Sequence, residues 1–182
     1  MNTAHLHLLV NHFPIIIPII ALFVLIAALI KKSHTLQNTS FILFAIAALF
    51  TIVAMSSGDG AEEVVENIQG VNENNIEAHE HSAETFAIFS YILAVISLVA
   101  LWANITAKSF NKILHYVVVI FSIITLFFAQ KTGSTGGEIR HTEITNGGPS
   151  MQNGNSLENN NNESGENEGT GKEETEENEK ED

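Results

Sequence analysis

The stretch FPIIIPIIALFVLIAALI, Phe13 to Ile30, runs for eighteen residues without a charge. A helix on the surface of a soluble domain keeps a polar face, and this one has none. Its length approaches the roughly 20 residues that a helix needs to cross the hydrocarbon core of a bilayer. Working outward, three more segments of this kind follow: Phe41 to Met55, bounded by Ser40 and Ser56, then Phe86 to Ala103 and Ile113 to Gln130. None contains Asp, Glu, Lys or Arg. One small core cannot hide four such helices, so the sequence predicts an all-α fold, a four-transmembrane-helix bundle.

Orientation follows from the basic residues. No Lys or Arg precedes the first span, and Lys31–Lys32 follow it, the reverse of a signal peptide. Lys108 and Lys112 sit between the third and fourth spans. Both clusters fall on the inner side if the chain starts outside, so both termini are expected outside. Asp59 to Glu84 then lies outside, with eight acidic residues and no basic one. Within it, Ala61 to Ile68 and Ile76 to Glu84 read as amphipathic helices. GDG, Gly58 to Gly60, supplies the turn before the first, and the second runs into the third span. GSTGGE, after the fourth span, reads as a flexible loop.

Composition narrows the function further. From Thr145 to Asp182 there are eleven acidic residues and two lysines, so this tail carries −9 of the −13 net charge. It has almost nothing apolar to bury and is expected to be disordered, which divides the chain into a membrane domain over 1–144 and an acidic tail over 145–182. The scarcity of basic surface argues against nucleic acid. The absence of cysteine removes disulfides, iron–sulfur clusters, thiolate zinc sites and covalent haem attachment. Walker loops, Gly-x-Ser-x-Gly and His-Glu-x-x-His are missing, and no charge inside a span marks an ion pathway.

The histidines are the remaining chemistry. Six of the eight fall at the outer end, from three segments: His5, His7 and His12, then His79 and His81, then His141. His34 and His115 fall at the inner end and read as ordinary interface residues. His7 and His12 are at the membrane boundary, where polar side chains are costly and usually functional. They are i+5 apart, about 140° around a straight helix, so they aim at different partners unless Pro14 lets the preceding residues bend. His79 and His81 point about 200° apart, and the Ile76/Ala83 stripe favours His79 as the inward one. Neutral imidazole ligates haem iron, copper, zinc and non-haem iron. The candidate ligands for haem b, or alternatively for copper or zinc, are therefore His7, His12, His79 and His141. Glu62, Glu63, Glu80 and His81 are candidates to orient them. Arg140, the sole arginine, suits a haem propionate or an outer-loop glutamate.

LHLLVNHFPI, Leu6 to Ile15, resembles the opening LHPxLVHFPI of a large bacterial family of four-helix membrane proteins of unknown function. The family's proline after the first histidine is Leu8 here, and Asn11 precedes the second. SSGDGAEEVVENIQGV, IEAHEHSAE and GGEIRHTEI are similar to motifs of a narrower set within it. The resemblance spans residues 5 to 144 and implies a bacterial inner-membrane location. It also implies that His7, His12, Glu62, Glu63, His79, Glu80, Arg140 and His141 occupy motif positions. The family is suspected of haem binding or redox work. The sequence thus supports two functions: electron transfer with redox partner proteins through an outward cofactor, or a non-redox role with structural histidines, as an assembly subunit or a pH or metal sensor.

Overall fold

The computed structural model describes residues 3–68 and 71–139. Every regular element among them is an α-helix: α1 (Thr3–Val10), α2 (Phe13–Lys31), α3 (His34–Ser56), α4 (Gly58–Glu66), α5 (Glu73–Ile105) and α6 (Asn111–Glu138). Four helices, with α1 and α2 counted as one, are long and apolar enough to cross a membrane.

Pro14 sets the break between α1 and α2. It has no N–H to donate to the Val10 carbonyl, so the ladder that still joins Asn11 N to His7 O at 2.9 Å restarts from the His12 carbonyl. The helix is therefore interrupted just before Pro14, at Asn11 and His12. At the other end of α2, Lys32 adopts the left-handed conformation (φ 52°), and the Ser33 amide donates back to the Ala28 carbonyl at 3.0 Å. Ser33 then caps α3, and the two helices form a tight antiparallel pair.

Side-chain distribution identifies the solvent. The enclosed core centres on Leu25, Phe41, Phe44, Leu93 and Val118, with Ala21 and Ala100 at close approaches. Buried among the helices are also Ser40, Thr51, Ser90, Ser97, Ser122 and Thr125. Thr51, Ser122 and Thr125 are satisfied within their own helices, Thr51 by the Ala47 carbonyl at 3.0 Å, whereas Ser40 donates across to the Ala21 carbonyl of α2 at 2.8 Å. The outward faces carry Phe23, Leu49, Val95, Ile113 and Phe127. Small polar residues inside and large apolar ones outside is the packing expected of helices in lipid.

The bundle has two chemically distinct ends. Lys31, Lys32, Lys108 and Lys112 mark the lysine end, where the Lys108 ammonium lies 5.3 Å from the centre of the Trp102 ring. His34 Nδ1–H there donates to Asn104 Oδ1 at 3.0 Å, and Asn104 Nδ2 donates to Asn38 Oδ1 at 2.7 Å. His115 is buried and stacked on Phe41 at 5.5 Å, and its Nε2 has no hydrogen-bond partner. His115 is thus buried more deeply than an interface residue would be, whereas His34 stays exposed as expected.

Three local expectations change. The helix expected from Ala61 begins at Gly58, directly after Ser57, which ends α3 and starts α4. The helix expected at Ile76 begins at Glu73, capped by Asn72, and continues through the third span as one 33-residue element about 50 Å long. GSTGGE is not a loop but the last turns of α6. Contacts with α5 hold it helical: Thr132 Oγ1 donates to the Ser82 carbonyl at 2.9 Å, and Asn75 Nδ2 to the Glu138 carbonyl at 3.1 Å. Arg140, His141 and the acidic tail lie outside the described residues.

Candidate functional site: a histidine-lined cavity

At the end of the bundle opposite the lysines is a cavity of about 570 Å³. That is within the roughly 300–1,000 Å³ of small-molecule and cofactor sites. Its walls come from all six helices. Leu8, Ile15, Met55, Val65, Ile76 and Phe86 give it an apolar lining, and His7, His12, His79, Glu62 and Glu80 all border it. Two segments distant in sequence, around α1 and in α5, therefore do bring their histidines to one place.

His7 and His79 are held in the same way. His7 Nδ1–H donates to the Ala54 carbonyl on α3 at 3.0 Å, with the Ser57 hydroxyl 3.3 Å away. His79 Nδ1–H donates to the Thr132 carbonyl on α6 at 3.1 Å, with the Thr135 hydroxyl 3.2 Å away. A carbonyl oxygen can only accept, so each Nδ1 carries the proton, and the neutral ring keeps its lone pair on Nε2. Both rings line the cavity. The Thr51 and Thr132 hydroxyl protons are spent on backbone carbonyls. Among the described residues, the hydrogen bonds of His7 and His79 all run through Nδ1, which leaves each neutral ring's Nε2 lone pair available as an electron-pair donor, and Asn11 Oδ1 is buried without a partner.

The remaining candidates divide. His12 lines the cavity from the α1–α2 break, though its side chain is largely exposed. Glu62 and Glu80 line it from α4 and α5, and loss of solvent raises the pKa of Glu62, with the charges of Glu80, Glu66 and Asp59 adding to the effect. The orienting acceptors for the Nδ1 protons are backbone carbonyls rather than these glutamates. Glu63, His81 and His5 are exposed and do not border the cavity. His141 and Arg140 follow Ile139, a cavity residue, but lie outside the described residues. Among the described residues, no group of three or more His, Asp or Glu side chains is placed to hold a metal ion.

Asn11, Ser57, Thr132, Thr135 and Gly136 are site residues that sequence reasoning missed. Gly133, Gly136 and Gly137 carried a readable signal, since i, i+3 and i+4 share one face if the segment is helical. No protein-family model, curated protein or solved structure matches the chain.

Proposed function

We propose that this chain is a bacterial inner-membrane protein with both termini on the outer side, and that its cavity holds b-type haem for electron transfer near the outer surface. The observation that carries the proposal is the matched pair of imidazoles, each with Nδ1–H anchored on a carbonyl of a neighbouring helix and with no hydrogen bond to Nε2 among the described residues. Metal-bound histidines are fixed in this way, because the anchor sets the tautomer and aims the ring. The lysine end reads as the inner side by the positive-inside rule, which supports an outward cavity.

The donor set favours haem over copper or zinc. Zinc generally takes three or four protein ligands and blue-copper sites a comparable set. Haem iron is already bound by four ring nitrogens and needs at most two more ligands, the number of anchored imidazoles present. When bound, haem b supplies a one-electron ferric/ferrous couple. His7 and His79 would hold the iron, and the apolar walls would exclude water. Arg140, which follows the cavity residue Ile139 in sequence, would pair with a haem propionate. His12 and His141 are the alternative ligands, and soluble redox proteins on the outer side are the partners.

A second reading has its own support. The same two bonds tie α1 to α3 and α5 to α6, which is what structural histidines in an assembly subunit or a sensor would do. A reduced-minus-oxidised optical spectrum of the purified protein, with metal analysis of the same sample, separates the two. A Soret band lost in His7→Ala and in His79→Ala supports haem ligation. Copper or zinc at one equivalent redirects the proposal to the metal alternative. A folded, colourless and metal-free protein from haem-supplied cells favours the structural reading.

A further inference from the structure

Glycine is a poor helix former, yet the last two turns of α6 hold three glycines facing the site. Space around them differs sharply. A Cβ at Gly137 would meet nothing within 4 Å, and one at Gly133 would make ordinary contact with Ile15 Cδ1 at 3.7 Å. A Cβ at Gly136 would stand 3.0 Å from Cε1, 3.2 Å from Nδ1 and 3.7 Å from Nε2 of His79. The α6 backbone at Gly136 therefore approaches the imidazole closely at Cε1 and the two nitrogens that flank it. The ring cannot back away freely, because its Nδ1–H is bonded to the Thr132 carbonyl one turn earlier on the same helix.

We propose that Gly136 is a positioning residue: its missing side chain makes the seat in which His79 keeps Nδ1–H on the Thr132 carbonyl and Nε2 free for a ligand. The inference deepens the haem reading and rests on it only for the identity of that ligand. A methyl group at residue 136 pushes on Cε1 and Nδ1 together. The ring then tilts off the carbonyl, the tautomer is released, and Nε2 loses its aim. His7 has no such seat, since a Cβ at Gly58, beside its Ser57 contact, would meet nothing within 4 Å.

The test compares the full-length protein in detergent as wild type, Gly136→Ala and Gly137→Ala. Both substitutions put a better helix former at neighbouring positions of one helix, so a general effect on α6 appears in both. The first readout needs no cofactor: ring-nitrogen NMR of metal-free, 15N-histidine-labelled protein, with the His79 signals assigned by their loss in His79→Gln. Wild type and Gly137→Ala are expected to show one tautomer with the proton on Nδ1, and Gly136→Ala a mixture of two. The second readout is haem titration. Affinity is expected to fall by about tenfold or more in Gly136→Ala, the usual penalty for disturbing a group that orients a ligand, and added imidazole should restore the low-spin spectrum.

If Gly136→Ala is too unstable to label, Gly136→Ala/His79→Ala decides. Removing the ring that the methyl meets must recover the thermal midpoint of His79→Ala alone. An unchanged His79 tautomer in Gly136→Ala, equal effects of the two alanines, or no recovery in the double variant would overturn the inference. The expected tautomer change in a protein that takes up no haem leaves the seat standing and removes the haem reading instead.

Discussion

Replacing His79 by alanine should cost far more in ligand binding than in stability. The ring makes one good hydrogen bond, to the Thr132 carbonyl at 3.1 Å. That carbonyl also accepts from the Thr135 hydroxyl at 3.1 Å, so it is not orphaned when the imidazole goes. The cost is therefore that of a net hydrogen bond, about 0.5–1.5 kcal/mol in general and about 0.6 kcal/mol on average between membrane helices. Loss of the half-buried ring's packing adds on the order of 1 kcal/mol. Alanine's better helix propensity returns up to about 0.7 kcal/mol. From these three effects the balance is about 1–2 kcal/mol. A useful yardstick is Leu25→Ala, which empties a fully enclosed core position and should cost about 2–5 kcal/mol. Reversible unfolding in mixed detergent–dodecyl sulfate micelles, followed by far-UV circular dichroism, measures both. A His79→Ala loss equal to that of Leu25→Ala would overturn this estimate, because it would make the histidine a structural keystone.

Other perturbations probe separate parts of the structure. Glu62 has a raised pKa, so the folded state holds its proton more tightly than the unfolded chain, and this group's contribution to stability falls as pH rises through the raised pKa. Glu62→Gln should thus raise the thermal midpoint slightly at pH 7, a stabilisation of no more than about 0.5 kcal/mol, with the gain gone at pH 4. A gain that persists at pH 4 would mean the sign is wrong. His115→Leu removes a buried nitrogen that has no partner and should stabilise the protein by about 1 kcal/mol without affecting the cavity. A loss of stability in the same micelle assay would show that His115 has a bonding role. Removing residues 145–182, which contain almost nothing apolar, should leave the unfolding midpoint and any bound cofactor unchanged.

The four long helices were legible because unbroken apolar runs need no partner to be recognised. Their ends were less so. α5 starts at Glu73 rather than near Ile76 because Asn72 caps it, and α6 extends through Gly133, Gly136 and Gly137 because α5 supports it. Three glycines in six residues normally signal a loop, and the contacts that overrule this come from residues some fifty positions away. Charge placement brought His7, His12 and His79 to one end. What fixes the rings was hidden, since the acceptors are backbone carbonyls of Ala54 and Thr132, and a carbonyl has no letter of its own. Carboxylates were the visible substitute. His115 was opaque for the opposite reason: within ILHYVV nothing marks it as a core residue stacked on Phe41.

Whether two anchored imidazoles hold one haem iron can be read from electron paramagnetic resonance of the oxidised protein, purified from haem-supplied cells. Expected is a low-spin ferric signal from two imidazole ligands, absent in His7→Ala and in His79→Ala and intact in His115→Leu. A folded protein with no haem signal, or a signal that survives both alanine replacements, would rule out this pair of ligands.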